Sequence, residues 1–359
     1  MNLALPRLRS ALFREIRNFF DERAYLEVDT PLLAPDLIPE SCLEVFETSR
    51  LPPAGSRRNK QSYWLIPSPE IWMKKLIAGL WRDGELRGTR AAAHGAPRYG
   101  IAGIYQICHC FRNGESSGRH HSPEFTMLEY YSLGGDYRDS AGLTEELFTR
   151  LLPLAEQGGP DSLRPPFTRI SVADAFARWA GFDLYQAAAR PGGLEAEARR
   201  LGMDPAPGLD RGTLYDLIFV DRIEPALPRD RPILLTDYPA FVPCLAKRAG
   251  VTVERWELYA RGIELANCYT EETGPHAVRE FFAGEAAAKE RSALVKHRVD
   301  HDYWKMFLPS GAGGNEPESP GFPPCSGTAL GLDRLLMTLT GAPSIDHVLP
   351  FPMEQSPLL

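Results

Sequence analysis

Hydrophobic and polar positions along the chain predict a mixture of helices and strands. In the first segment the apolar residues recur at helical spacing, at Leu8, Leu12, Ile16, Phe19 and Phe20. We therefore expect an amphipathic helix over residues 8–23. Residues 24–35 alternate between apolar and polar and end in prolines, which predicts a strand that leaves the core at Pro31.

Strand character returns in several later segments. Residues 105–111 and 124–131 are rich in apolar, aromatic and β-branched side chains, and a polar loop separates them, so they predict an antiparallel hairpin. Residues 232–239 and 255–270 have a similar composition. Residues 325–341 begin as a glycine-bearing strand and continue into a helix that ends at a glycine.

Helix signals occupy other parts of the chain. Helical composition and spacing mark three segments, 140–156, 171–180 and 274–298. A further helix is predicted to begin after a strand near residues 62–66, with Ser68 as its N-cap and Pro69 at its first position. Residues 187–232 support no assignment, because short helical pieces alternate there with prolines.

These elements favour an α+β fold, because strands outnumber parallel βαβ units and the hairpin pairs its strands in antiparallel fashion. The sheet is expected to be antiparallel and flanked by helices. Two polar, glycine-containing stretches, near 81–100 and 309–324, are interpreted as surface insertions. We expect residues 1–359 to form a single domain.

Composition narrows the functional classes. The chain has 359 residues, of which 43% are hydrophobic, and a formal net charge of -7. This negative net charge argues against a protein surface that mainly binds nucleic acid. No run approaches the ~20 apolar residues that span a bilayer, and the N-terminus does not look like a signal peptide. The six cysteines form no compact framework, so we expect a reducing, cytoplasmic setting.

The polar loop of the hairpin concentrates candidate chemistry. It carries two arginines, two histidines and a glutamate between the strands, and Arg112 stands where the first strand ends. An arginine offers planar donors for a phosphate or carboxylate, and Phe125 on the return strand offers a stacking face for a base. The set suits a nucleotide. A solvated hairpin with surface ion pairs is the alternative.

Three further stretches carry weaker signals. The small residues of 327–331 permit a close approach of a ligand to the backbone, although packing also explains them. Strand alternation in 262–272 is expected to place Glu264 opposite to Asn267; Glu264 could hold Mg²⁺, or belong to a solvated strand edge. Glu70 lies in a first helical turn, where the helix dipole also explains a carboxylate.

Together these stretches resemble the signature motifs of class II aminoacyl-tRNA synthetases. "YLEVDTPLL" resembles motif 1, "FRNGESSGRHHSPEFTMLEYY" motif 2 and "GTALGLDRLLM" motif 3. "SPE" and "ELANCYTEE" place the chain beside lysyl-tRNA synthetase. Motif 1 begins before residue 30, so we expect the chain to lack an anticodon-binding domain, and it is most similar to the elongation factor P lysine ligase family.

This resemblance implies a class II synthetase catalytic fold, ATP and Mg²⁺ as cofactors, and activation of lysine, expected to be (R)-β-lysine, for transfer to a lysine of elongation factor P. The implied catalytic residues are Arg112, Glu264 and Arg334, with Glu264 on the metal. The implied nucleotide site comprises Arg112, Asn113, Glu115, His121, Ser122, Phe125, Glu264, Leu265, Gly331 and Arg334. The implied amino-acid site comprises Ser68, Pro69, Glu70, Tyr131, Asn267, Glu271 and Ala329.

The sequence departs from the family pattern at two places, and two alternative functions remain open. Ala329 stands where lysyl-tRNA synthetases have glycine, which we expect to disfavour α-lysine. The motif 2 loop is one residue longer, and Glu115 is the expected adenine-reading carboxylate. A free-standing lysyl-transferring paralog that acts on RNA or a small amine, and a non-catalytic amino-acid-binding subunit, remain open. The resemblance also implies a homodimer through motif 1 and makes tRNA an improbable partner.

Overall fold

The computed structural model describes residues 3–54, 59–86, 100–114, 118–155, 161–309 and 321–352. The strands of this part are β1 (Tyr25–Glu27), β2 (Leu33–Ala34), β3 (Glu47–Arg50), β4 (Gln61–Leu65), β5 (Gly103–Phe111), β6 (Glu124–Leu133), β7 (Thr168–Ser171), β8 (Ile233–Thr236), β9 (Arg248–Ala249), β10 (Thr252–Val253), β11 (Arg255–Ala260), β12 (Ile263–Thr270) and β13 (Cys325–Gly331). The helices are α1 (Ala4–Asp21), α2 (Glu70–Arg82), α3 (Tyr137–Leu151), α4 (Val172–Ala175), α5 (Leu184–Ala189), α6 (Gly193–Arg200), α7 (Arg211–Ile218), α8 (Pro275–Ser292) and α9 (Leu332–Thr340).

Eight strands form the main sheet of the described chain, in the order β1-β5-β6-β13-β12-β11-β8-β7. The pairs at its two edges, β1 with β5 and β7 with β8, are parallel. The inner neighbours are antiparallel. Strands β2, β4 and β3 form a small separate sheet, and β9 pairs with β10. The α+β class and the largely antiparallel sheet are therefore confirmed.

Helices cover both faces of the main sheet. Tyr130 belongs to a core that includes buried residues of α1, α3 and α9. Its neighbour Tyr131 belongs to a second core with buried residues of α2 and α8. Successive residues of a strand point to opposite faces, so the two helix groups lie on opposite sides. A third apolar cluster packs α4 to α7 against β8 and β11.

Local sequence explains where the helices begin and end. Asp136 and Asp139 form a capping box at the start of α3. Gly341 ends α9 with a φ of +69°, a left-handed conformation that glycine adopts without a steric penalty. No helix of the described residues is both long enough and apolar enough to cross a bilayer.

The predicted elements are largely confirmed. The opening helix is α1, the hairpin is β5 and β6, and the strand and helix of residues 325–341 are β13 and α9. The unassigned stretch 187–232 contains parts or all of α5, α6 and α7, followed by a π-helical segment at 219–223. Most of the two predicted insertions, 87–99 and 310–320, lies outside the described residues.

The predicted start of α2 was wrong by one residue. The helix begins at Glu70, and its N-cap is Pro69 rather than Ser68. The hydroxyl of Ser68 still accepts the N–H of Glu70, at 3.0 Å. It also donates to Glu129, at 2.8 Å, so the residue faces a neighbouring strand instead of closing the helix alone.

Candidate active site

Three neighbouring strands, β6, β13 and β12, form the floor of the candidate site. On this face β13 carries only small residues, Gly327, Ala329 and Gly331. The paired positions of its neighbours carry larger side chains: Glu129 and Tyr131 on β6, Asn267 and Tyr269 on β12. The small residues of the middle strand therefore leave a trough between two rows of functional side chains.

Two adjoining cavities lie along this trough, of about 280 Å³ and about 190 Å³. We call them the first and the second cavity. The first includes His121, Ser122, Phe125, Glu264 and Arg334 in its lining. The second includes Ser68, Glu70, Glu129, Tyr131, Tyr269 and Glu271. The residues that line both are Glu40, Cys42, Arg112, Met127, Arg255, Asn267 and Ala329.

Arg112 lies at the junction of the two cavities. It follows β5 directly, and its backbone N–H donates to the carbonyl of Pro123 at 2.9 Å, which fixes it at the base of the hairpin loop. Its guanidinium carbon lies 5.2 Å from the centre of the Phe125 ring. A planar cation is thus held beside an aromatic face, an arrangement suited to a phosphate next to a base.

Arg334 lies at the other side of the first cavity, in the first turn of α9. Its guanidinium donates to the backbone carbonyls of His120, at 3.1 Å, and Glu264, at 3.0 Å. The preceding residue, Asp333, is buried and accepts the N–H of Thr126 at 2.6 Å and a guanidinium N–H of Arg9 at 2.5 Å. These bonds fix the corner between β13 and α9 against β6 and α1.

The expected placement of Glu264 opposite Asn267 was wrong, because β12 contains a bulge. Its pairing with β11 passes from Ala266 to Glu264, which leaves Leu265 as an extra residue. The shift reverses the alternation, so Glu264 and Asn267 both line the first cavity. Burial, followed by the nearby Glu257 carboxylate, raises the pKa of Glu264, and Arg334 opposes this shift.

The second cavity is a cluster of buried acids around one buried cation. The Lys74 ammonium lies 2.5 Å from Glu70 Oε1 and also forms an ion pair with Glu271. Glu129 accepts hydrogen bonds from the hydroxyls of Ser68 and Tyr131, each at 2.8 Å. Lys74, Glu129 and Glu271 are each less than 4% exposed. Their charges are therefore poorly screened by solvent.

Burial shifts the protonation equilibria of this cluster. It raises the pKa of Glu129 to about 7, with repulsion from Glu70 adding to the effect. It raises the pKa of Glu271 to about 8, against the opposing influence of Lys74. Burial alone would lower the pKa of Lys74, but Glu271 and Glu70 outweigh it and hold that pKa well above its ordinary value. The two carboxyl groups, Glu129 and Glu271, therefore retain protons near neutral pH.

Arg255 connects the floor of the site to a buried network. Its guanidinium donates to the side-chain carbonyl of Asn267 at 3.2 Å and to Glu257 at 2.6 Å. Glu257 also accepts the hydroxyls of Tyr238, at 2.6 Å, and Tyr259, at 2.9 Å. With its carbonyl engaged by Arg255, Asn267 has its N–H₂ donors left for a ligand, and the residue lines both cavities.

The structure brings together most of the residues predicted from sequence. Gly331 and Leu265 line the first cavity and Ala329 lines both. Asn113 does not line either cavity, because its side chain donates to Val45 O at 3.3 Å and accepts the N–H of Gly114. Pro69 caps α2 and does not line a cavity. Glu115 lies outside the described residues.

Sequence reasoning missed several residues of the site, among them Glu40, Lys74, Glu129, Arg255 and Tyr269. For two of them the sequence contains a signal that could have identified them. Lys74 falls at helical spacing among the apolar residues of α2, and Glu129 is an isolated acid inside the apolar run of β6. A charge at a core position is costly unless it is paired, so each indicates a buried partner. The others have no comparable signal.

Comparison with known proteins shows the family to which the chain belongs. Residues 98–355 match the family model described as "tRNA synthetases class II (D, K and N)". The chain is 30% identical to an elongation factor P--(R)-beta-lysine ligase of Avibacterium paragallinarum, over 97% of the chain and 95% of the relative. The ligase of the same name from Vibrio atlanticus is 31% identical over the same shares.

Another relative, whose name gives tRNA as the acceptor instead of elongation factor P, has a similar sequence identity. The lysine--tRNA ligase of Carboxydothermus hydrogenoformans is 30% identical over 96% of this chain. The chain spans 64% of that relative's length.

Proposed function

The chain belongs to the class II tRNA synthetase family (D, K and N), together with the elongation factor P--(R)-beta-lysine ligases, and we propose that it ligates lysine or (R)-β-lysine to a lysine side chain of elongation factor P. The reaction has two steps. ATP and the amino acid form an aminoacyl adenylate and pyrophosphate, and the acceptor amine then attacks the carbonyl carbon of this mixed anhydride.

The charge balance of the buried cluster around Lys74 carries the proposal. Three carboxylates, those of Glu70, Glu129 and Glu271, lie around the single buried cation of their cluster in the described chain, Lys74. With all three ionised, the cluster lacks two positive charges. A diamino acid brings two ammonium groups, whereas a monoamino acid leaves a buried carboxylate unpaired or protonated, at a cost of several kcal/mol.

We assign the two ends of the substrate from the positions of these groups. Tyr131 and Glu271 would bind the distal ammonium of lysine, while Glu70 would contact the amino group nearer to the reacting end. Arg112, at the junction of the cavities, would hold the substrate carboxylate against the α-phosphate. It would stabilise the charge that develops on the phosphate oxygens during attack.

The first cavity suits the nucleotide. Phe125 and Arg334 would stack on the two faces of adenine, and His121 would contact the triphosphate. Asn267, which lines both cavities, would donate through its amide N–H₂ to an anionic oxygen. Glu264 would contribute to a magnesium site. A regulatory subunit that only holds an amino acid does not need the first cavity, which Arg112 and Arg334 line.

The residues of the first cavity fit Mg²⁺ in the way that nucleotide sites usually hold it. The described residues contain no group of three or more histidine, cysteine, aspartate or glutamate side chains that could enclose a metal. Mg²⁺ in such sites keeps several waters and takes one or two carboxylates plus phosphate oxygens. Glu264 supplies such a carboxylate, and the bound ion would neutralise charge on the leaving pyrophosphate.

A homodimer through motif 1 is part of the proposal. Strand β1 is an edge of the main sheet, and Leu26, Leu32 and Leu33 near Pro31 are exposed by 48%, 37% and 47%. Apolar side chains on an edge strand favour pairing with another chain. A dimer mass in light scattering that becomes a monomer mass in Leu26→Lys supports this interface, and a wild-type monomer contradicts it.

ATP–pyrophosphate exchange tests the proposal. Exchange should depend on lysine or a β-lysine isomer and be absent with norleucine, which has the same length but a single amino group. Exchange that norleucine supports equally would overturn the charge argument. Lysine-dependent exchange with transfer to tRNA instead of elongation factor P would favour the lysine--tRNA ligase activity of the second relative.

A further inference from the structure

We propose that Glu40 is the general base of the second step: its carboxylate removes a proton from the acceptor ammonium as that group approaches the mixed anhydride. This inference rests on the proposed function. An amine cannot attack while it is protonated, and an acceptor lysine is protonated at neutral pH. A base at the junction of the two cavities is therefore needed where the amine, the carbonyl carbon and the phosphate meet.

Glu40 lies at that junction. It is among the residues that line both cavities, together with Arg112, which would hold the reacting carboxylate and phosphate. The backbone around it is fixed: Lys289 Nζ donates to the carbonyl of Glu40 at 3.0 Å, and the N–H of Ser41 donates to Glu285 at 2.8 Å. Glu40 is partly exposed, so a side chain that arrives from solvent can contact it.

The other carboxylates that line the cavities have partners within the described chain. Glu70 and Glu271 are paired with Lys74, and Glu264 with Arg334. The remaining three accept hydrogen bonds: Glu129 from Ser68 and Tyr131, Asp333 from Arg9 and Thr126, and Glu285 from Ser41. Among the described residues, the Glu40 carboxylate has neither a hydrogen-bond donor nor an ion pair, and Arg112 and Lys289 act on it through their charge alone.

The charged groups around Glu40 suit a base that acts near neutral pH. Burial raises the pKa of Glu40 to about 7, and the carboxylates of Glu70 and Glu285 act in the same direction. Arg112 and Lys289 lower it. The adjacent thiol of Cys42 has its pKa raised to about 11 and stays neutral. A base with a pKa near the working pH combines a populated ionised form with sufficient basicity.

The step balances in atoms and charge. Glu40 takes one proton from the acceptor ammonium, and the freed nitrogen lone pair forms a bond to the carbonyl carbon of the aminoacyl adenylate. The bond from that carbon to the phosphate oxygen breaks, and AMP leaves with its electron pair. The second proton on nitrogen goes to the departing phosphate. The products are the amide, protonated AMP and neutral Glu40, which returns its proton to solvent.

Glu40→Gln tests this role, because it keeps the size of the side chain and removes the base. We expect transfer to elongation factor P to fall about 100-fold more than lysine-dependent exchange does. The transfer rate of the wild type should rise through pH 7 and then level, and the variant should lose this inflection. Glu47→Gln, an exposed glutamate in the same segment, serves as the matched control.

Hydroxylamine separates a base from a structural residue, because its nitrogen is largely unprotonated at neutral pH. Formation of lysine hydroxamate by Glu40→Gln should stay within about threefold of wild type, since this nucleophile needs no proton removed before attack. Equal losses of exchange, hydroxamate formation and transfer would overturn the inference. Loss of exchange in the wild type would contradict the proposed function itself.

Discussion

The Lys74 ammonium lies 2.5 Å from Glu70 and forms an ion pair with Glu271, so two carboxylates expected to bind the substrate already share a cation of the protein. Lys74 therefore already neutralises one of the two negative charges of Glu70 and Glu271. With Glu129 added and all three carboxylates ionised, the cluster would lack two positive charges, which under the proposed function a diamino acid supplies.

Lys74→Met should destabilise the fold. Removing the cation leaves buried carboxylates unpaired, which typically costs about 3–5 kcal/mol in the free energy of unfolding. Urea unfolding at pH 8 measures this loss. The adjacent Lys75→Met is the control, because Lys75 pairs with Asp300 at a partly exposed site, where an ion pair contributes about 1 kcal/mol or less. Equal losses in the two variants would show that the buried cluster has no special role.

Lysine binding should strengthen with pH. Below pH 7 the carboxyls of Glu129 and Glu271 are protonated, since their pKa values are raised to about 7 and about 8. A diammonium ligand favours the ionised forms and must release those protons. The dissociation constant should fall about tenfold or more between pH 6 and pH 8, as followed by calorimetry in two buffers that differ in ionisation enthalpy. A constant affinity without proton release would contradict the pKa shifts.

Gly327→Ala should damage the amino-acid site. A Cβ at this position would lie 2.7 Å from the ring of Tyr131 and closer still to Glu271. Overpacking of this kind costs ~1–3 kcal/mol, so we expect the KM for lysine in exchange to rise about tenfold or more. Gly79→Ala is the control, since no neighbouring atom lies within 4 Å of its added Cβ. An unchanged KM in Gly327→Ala would mean that the pocket has another shape.

Ala329→Gly should improve the use of α-lysine. The methyl group of Ala329 lies between Glu129 and Asn267 and lines both cavities, so it faces the reacting end of the substrate. Its removal opens space for an amine one carbon nearer to the carboxylate, and the ratio of kcat/KM for α-lysine over β-lysine should rise about tenfold. Exchange with each isomer measures this ratio. An unchanged ratio would assign isomer preference to another residue.

The sequence predicted the elements better than the contacts within the site. Hydrophobic spacing located α1, the hairpin and β13 with α9, because burial of one face determines those patterns. Strand alternation misplaced Glu264, because the bulge at Leu265 depends on pairing with β11 and has no local signal. The sequence places Lys74 and Glu271 almost two hundred positions apart, so only the fold reveals their pairing.

The mass of elongation factor P after reaction tests the central claim most directly. Purified factor is incubated with ATP, Mg²⁺ and the best amino acid, with Arg112→Ala as the inactive control because it removes the arginine proposed to hold the substrate carboxylate and the α-phosphate. We predict that the wild type adds one lysyl or β-lysyl residue to a lysine side chain of the factor and that the variant adds none. An unchanged mass with the wild type, under conditions that support lysine-dependent exchange, would contradict the account.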